Sequence, residues 1–186
     1  MTQPALPVLE TGRLRLRPRT LADLEDCLRM DREPGTLRWV DWPLATGGWD
    51  DETAHRALIR SRILHPYPPG LGYWVVARKE HPDGFLGWVL LIPEDTKGPE
   101  IEIGWRLLHA ARGNGYATEA AAALLRHGFE TLGVDRIVAD MYRENAASNA
   151  VARKLGFRAH DDPTRTNADF VLWVLDRADW RAPQRR

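Results

Sequence analysis

Arg112-Gly113-Asn114-Gly115-Tyr116-Ala117-Thr118-Glu119 combines residue types that an anion would use. Two glycines one residue apart let the backbone turn tightly and approach a ligand with no side chain in the way. An Ala/Leu-rich helix starts at once, so its first amides lack intrahelical partners and point outward. The helix dipole favours a negative charge there by about 0.3–1 kcal/mol, and by about 2 kcal/mol when the site is partly buried. Arg112 adds a permanent planar cation. The chemistry suggested is binding of a diphosphate. A triphosphate loop would need Gly-Lys-Ser/Thr, which is missing. A dinucleotide fingerprint would need Gly or Ala where Thr118 stands, and would open a βαβ unit. A strand-to-helix turn with no ligand is the remaining alternative.

Other side chains bear on chemistry less directly. Glu100 and Glu102 share a strand face about 6.6 Å apart, so either could take a proton. Cys27, the sole cysteine, lies among Leu24, Leu28 and Met30 and reads as a packing residue. No intrachain disulfide is then available, which fits a reducing cytoplasm. The histidines at 55, 65, 81, 127 and 160 show no metal-ligand spacing, so no metal is expected. His109 reads as an exposed loop residue. Arg15, Arg17 and Arg19 alternate along a strand and read as a solvated row rather than a nucleic-acid patch.

The elements that must position these groups follow from periodicity. Leu14–Pro18 alternates as a half-buried strand. Leu21, Leu24 and Leu28 mark a first helix, and 51–64 a second. Residues 33–50 form an irregular connection containing Trp39, Trp42 and Trp49. Strands are expected at 73–78 and 85–92, joined by a His81-Pro82-Asp83-Gly84 turn, and again at 100–107. Gly104 marks a bulge or a close approach. A long helix follows the glycine turn and is capped at Gly133. A strand at 136–141, a helix at 146–154 and a final strand pair from Phe157 to about Leu175 complete the order. The class is α/β (α+β), with one mixed, mostly antiparallel sheet flanked by helices and a single crossover through the long helix.

The chain has 186 residues with 44% hydrophobic content, which suits one domain with a sizeable core. Lys+Arg and Asp+Glu are both 26, and a formal net charge of zero argues against nucleic acid as the main partner. No apolar run approaches the ~18 residues of a membrane span, and the N-terminal residues do not read as a secretory signal.

Arg112, Gly115 and Ala117 after Glu102-Ile103-Gly104-Trp105, then Asn145-Ala146-Ala147-Ser148 and Lys154-Leu155-Gly156-Phe157, together resemble the GNAT acyltransferases. With the opening Leu9-Glu10-Thr11-Gly12-Arg13-Leu14-Arg15-Leu16-Arg17-Pro18, they resemble most closely the RimJ/RimL-like branch that acetylates ribosomal-protein N-termini. The resemblance spans about residues 8–176 of a single GNAT domain. It implies a sheet that splays between the strand before the glycine turn and the strand after the long helix. It implies acetyl-CoA as cosubstrate, with its arm on backbone groups of Leu107 and Leu108. It places the pyrophosphate on Arg112, Gly113, Asn114, Gly115, Tyr116, Ala117 and Thr118, and further contacts on Asn145 and Ser148. Of the two carboxylates it favours Glu102 as base, acting through a water, with a backbone N–H near Leu107 stabilising the carbonyl oxygen. The tyrosine that many members use as general acid is Ala152 here, which leaves Ser148 or solvent. Trp39 and Trp42 fall where the family forms its acceptor side. Homodimers are common in the branch.

An α-amine near pKa 7.7 is roughly one-sixth neutral at pH 7, whereas a lysine near 10.4 is neutral in only a few parts per ten thousand. The acceptor expected is therefore a primary amine of low pKa, foremost a protein or peptide N-terminus. A small amine such as an antibiotic or polyamine, transfer of a succinyl-type group, and a non-catalytic acyl-CoA-binding module are the alternatives.

Overall fold

Leu14 and Leu16 in one strand, and Trp74 and Val76 in the next, point to the same sheet face because side chains alternate along a strand. Tyr73 and Val75 point to the other. This period of two divides the apolar residues between two cores. The computed structural model describes residues 6–40, 51–96, 98–160 and 169–180. Its strands are β1 (Leu9–Glu10), β2 (Leu14–Pro18), β3 (Gly72–Arg78), β4 (Gly87–Pro93), β5 (Ile101–Leu107), β6 (Arg136–Tyr142), β7 (Arg158–His160) and β8 (Phe170–Asp176). Its helices are α1 (Leu24–Asp31), α2 (Glu52–Leu64), α3 (Tyr116–Arg126) and α4 (Ala146–Lys154). The fold is the expected mixed α/β arrangement, with β1 as an additional short strand.

The eight strands form one sheet in the order β1-β2-β3-β4-β5-β6-β8-β7. Every neighbouring pair is antiparallel except β5 and β6, which α3 connects as a parallel crossover. Ala120, Ala121, Leu124 and Leu125 of α3, with Ala152 of α4, pack on the face carrying Leu14, Trp74, Val89 and Ile103. Cys27, Leu28 and Met30 of α1, with Ile59 of α2, pack on the face carrying Tyr73, Val75, Trp88, Leu90 and Ile92. The middle strands are therefore buried on both sides, which is why 73–77 and 87–92 read as nearly unbroken apolar runs.

β5 is paired with β4 along all seven residues, and β6 with β8 along all seven. Between β5 and β6 the pairing stops after Ile101↔Ile137 and Glu102↔Val138. The sheet parts there, where the splay was expected. Gly104 keeps its regular position opposite Leu90, and a Cβ on it would lie 3.2 Å from the Leu90 side chain. It is a close approach rather than a bulge. The arginine row after Leu14 departs from expectation. Arg17 donates to Asp23 at 2.6 Å, and Arg19 is only 8% exposed, because α1 folds back over this end of β2.

Buried Asn149 holds the far side of the rift together. Its Nδ2 donates to the carbonyls of Tyr142 (3.0 Å), Arg143 (3.2 Å) and Asn145 (2.7 Å), and its Oδ1 accepts from Trp173 Nε1 at 2.7 Å. One side chain thus ties the end of β6 to α4 and to β8. Asn149→Ala leaves a buried indole N–H and several carbonyls without their partner, and is expected to lower unfolding stability by about 2–3 kcal/mol. Denaturant titration checks this; a loss below about 1 kcal/mol would contradict the role assigned.

Candidate active site

A cleft of about 920 Å³ opens where β5 and β6 part. Glu102 and Leu107 line it from β5, Arg112 and Gly113 from the turn, Gly115 through Thr118 from the start of α3, and Asn145 and Ser148 from α4. Trp39 lines its rim, tilted against Tyr142 at 5.8 Å between ring centroids. Trp42 lies outside the described residues. Leu108 and Asn114 are not among the lining residues.

The hydrogen-bond register explains Leu108. Its N–H donates to the Leu86 carbonyl at 2.9 Å, and its carbonyl accepts from the Ala111 N–H at 2.9 Å. Both groups are already engaged within the fold, and the Leu108 N–H points to β4 rather than to the rift. By alternation, Glu102, Gly104 and Arg106 direct their backbone groups to β4, while Ile103, Trp105 and Leu107 direct theirs into the rift. The Leu107 carbonyl accepts from Arg112 Nε at 3.1 Å. Beyond the last pairing with β6 next to Ile103, the strand edge facing the rift is therefore made of Trp105 and the Leu107 N–H.

Gly113 and Gly115 adopt φ of 78° and 77°, the left-handed region that disfavours any side chain. The first bond of α3 runs from the Glu119 N–H to the Gly115 carbonyl at 3.0 Å. The amides of Tyr116, Ala117 and Thr118 ahead of it have no intrahelical acceptor and open on the cleft. The Asn114 side chain has a structural task. Its Nδ2 donates back to the carbonyls of Ala111 (3.3 Å) and Arg112 (3.0 Å), which fixes the turn between the two glycines. Arg112 is a brace as well as a wall: besides Leu107 it donates through Nη2 to Thr36 Oγ1 at 3.0 Å. It pins the 33–36 segment to the end of β5 instead of standing as an uncommitted cation.

Glu119 fixes where α3 begins. It accepts from Thr11 Oγ1 (2.5 Å), the Arg13 N–H (2.9 Å) and Arg13 Nε (2.7 Å). Burial alone would raise its pKa, but the bonds from Thr11 and Arg13 outweigh burial and hold it below the ordinary carboxylate value. On α4, Asn145 Oδ1 caps the helix by accepting from the Ser148 N–H at 3.2 Å. That oxygen serves the fold, so only the rest of the Asn145 side chain is left for a ligand. Ala152 is fully buried in the core under α3, so the missing tyrosine has left no opening behind it.

Glu102, Gly104 and Arg106 share the α1/α2 face with Ile92, Leu90 and Trp88 opposite them. Glu100 precedes β5 and does not line the cleft, so Glu102 is the carboxylate of the pair that does. Arg106 Nη1 donates to fully buried Asp31 Oδ1 at 2.6 Å, and its guanidinium lies 4.9 Å from the Trp88 ring centroid. His55 Nε2 lies 3.0 Å from Asp31 Oδ2. Sequence reasoning missed this Asp31–His55–Arg106 group, whose members come from α1, α2 and β5. The one available signal was an acid at 31 in a helix whose neighbours Cys27, Leu28 and Met30 form its apolar face. Burial pushes the Tyr73 hydroxyl well above its ordinary value, and the Glu102 charge adds to that. Among the described residues no group of three His, Cys, Asp or Glu side chains could hold a metal ion. No helix there is long and apolar enough to cross a membrane.

The family model for the Acetyltransferase (GNAT) domain matches residues 13–158. The chain belongs to the GNAT acetyltransferases. It is an N-acetyltransferase, and its family uses acetyl-CoA as cosubstrate. Bacillus subtilis YkkB is 34% identical over 171 residues, covering 89% of this chain and 93% of that protein. The FsC-acetyl coenzyme A-N(2)-transacetylase of Aspergillus fumigatus is 28% identical over 200 residues, covering 100% of this chain and 83% of that enzyme. An acetyltransferase structure from Agrobacterium tumefaciens superposes with a TM-score of 0.75 at 27% identity, covering 94% of this chain and 97% of that one.

Two outcomes follow for this GNAT enzyme. Gly115→Ala forces a side chain into a left-handed cap, so stability is expected to fall by about 1–2 kcal/mol and coenzyme A affinity by several-fold. Thermal melting and calorimetric titration read both; wild-type affinity in the variant would remove the turn from the site. Glu119 has a folded pKa below its unfolded one, so its stabilisation is present above about pH 4.3 and lost as pH falls through the folded value. Glu119→Gln should flatten the fall of melting temperature below that pH, and an unchanged slope would show that the Thr11–Arg13 tether carries no weight.

Proposed function

We propose that this enzyme transfers the acetyl group of acetyl-CoA to a low-pKa primary α-amine, foremost that of a peptide or protein N-terminus, with Glu102 as base. The observation that carries the reading is the position of Glu102. It is the last residue of β5 still paired with β6, it lines the cleft, and it projects to the α1/α2 face. The thioester approaches through the rift and the amine from that face.

The residues present fit coenzyme A. The rift-facing backbone of Trp105 and Leu107 can pair with the amide-bearing arm as a further strand would. The amides of Gly113 through Thr118 converge at a helix start, the arrangement suited to pyrophosphate. Glu102, through a water, takes the proton that the amine must lose. The Leu107 N–H stabilises the carbonyl oxygen as it gains charge. The new C–N bond forms as the C–S bond breaks, and Ser148 or solvent supplies a proton to the leaving sulfur. Trp39 forms part of the acceptor wall, and Trp42 is proposed beside it.

The RimJ/RimL-like assignment rests on the sequence pattern. A Vibrio cholerae protein that carries by name only the activity of a ribosomal-protein-serine acetyltransferase shares the fold, at a TM-score of 0.71 and 21% identity. A small-molecule amine is the second reading. It is favoured by the Aspergillus relative, whose name places its transfer at an N(2) amine.

Glu102→Gln is expected to lower kcat by about 10²–10⁴-fold while coenzyme A binds as before. Thiol release from acetyl-CoA with a panel of amines reads the first and calorimetry the second. Unchanged turnover would remove the base assignment.

A further inference from the structure

Arg19 follows β2 directly, and its side chain is enclosed, at 8% exposure. Its guanidinium lies 3.7 Å from the Tyr73 ring centroid and 5.8 Å from that of Trp88. Nε and Nη2 are sealed from solvent and have no hydrogen-bond partner among the described residues. A buried guanidinium with two nitrogens lacking acceptors is unfavourable, so these two donors call for an anion.

The neighbouring acids do not supply one. Asp23 is held by Arg17 at 2.6 Å, and Asp31 by Arg106 and His55. Cys27 hydrogen-bonds the Arg19 side chain, but burial pushes its thiol up to about 11, so it stays protonated and supplies no negative charge. Glu102 shares the cleft wall and does not reach Nε or Nη2.

Arg19, Arg62 and Tyr73 line both the main cleft and a second pocket of about 270 Å³. Tyr67 also lines that pocket, and its hydroxyl is a further buried group with no partner among the described residues. Among the described residues, no Asp or Glu lines it. The two residues that carry these unsatisfied atoms therefore line one pocket, which shares Arg19, Arg62 and Tyr73 with the main cleft.

We propose that the acceptor carries a carboxylate a few bonds from its reactive amine, and that Arg19 and Tyr67 bind this carboxylate in the side pocket while the amine lies toward Glu102. The inference rests on the acetyl-transfer reading of the cleft and narrows its acceptor. Rotation of the guanidinium presents Nε and Nη2 to the two carboxylate oxygens, the paired geometry arginine suits best. A free amino acid and a peptide beginning with Asp or Glu share this chemistry.

The test compares matched acceptors by thiol release from acetyl-CoA: alanine against alaninamide, and an Asp-Ala-Ala amide against its Asn-Ala-Ala counterpart. Amidation lowers the amine pKa and alone favours alaninamide. The expected result is a kcat/KM about 10–100-fold higher for the carboxylate member of at least one pair. The pair that shows it identifies the source. Arg19→Gln should bring the members of that pair together, Arg19→Lys should keep part of the difference, and coenzyme A affinity should hold in both. Pairs that react equally, pairs in which neither member reacts, or a preference that survives in Arg19→Gln would overturn the inference. If Arg19→Gln does not fold, the wild-type panel decides. Failure of coenzyme A itself to bind would instead overturn the acetyl-transfer reading.

Discussion

The pairing of β5 with β6 ends after two residue pairs, and the rest of the molecule is arranged around that interruption. Backbone groups left unpaired inside a protein are expensive, so a sheet does not open in its middle without something to use the gap. Here the two halves are held firmly apart. β4 secures β5 along its whole length, β8 secures β6, and Asn149 locks β6 to α4 and Trp173. The rift is a built feature with both walls secured, and beyond the last pairing with β6 the edge of β5 is presented to it at Trp105 and Leu107.

The second constraint is electrostatic. The chain is formally neutral, and the arginines near the turn are committed: Arg112 to Leu107 and Thr36, Arg13 to Glu119 and Asn114. Positive potential at the start of α3 therefore comes from oriented amides rather than a mobile cation. Such dipoles need no reordering when an anion arrives. On the opposite face the pattern reverses. Arg106 is neutralised by Asp31 in a fixed group with His55, whereas Arg19 Nε and Nη2 have no hydrogen-bond partner among the described residues.

Much of this was legible in the sequence because it depends on local pattern. The alternation at 14–18, the glycine pair, the helix at 146–154 and the strand ending at Leu107 each announce themselves within a few residues. The splay itself followed from family resemblance, since no local signal marks where two distant strands stop pairing. What escaped depends on contacts between elements far apart in the chain. β1 is two residues long and exists through its pairing with β2. Leu108 looked as suitable as Leu107 until the register with Leu86 fixed which amides face the rift. The bracing roles of Asn114 and Arg112 were hidden because their partners, backbone carbonyls and Thr36, are invisible to residue-type reasoning. Arg19 looked solvated because alternation along a strand says nothing about a helix folding over its end.

Amide hydrogen exchange with and without saturating coenzyme A tests the central claim most directly. The account predicts that the amides of Trp105, Leu107 and Gly115 through Thr118 slow by at least tenfold, while those joining β3 to β4 stay as they were. Unchanged exchange at the rift and the α3 start, in folded protein saturated with coenzyme A, would contradict it.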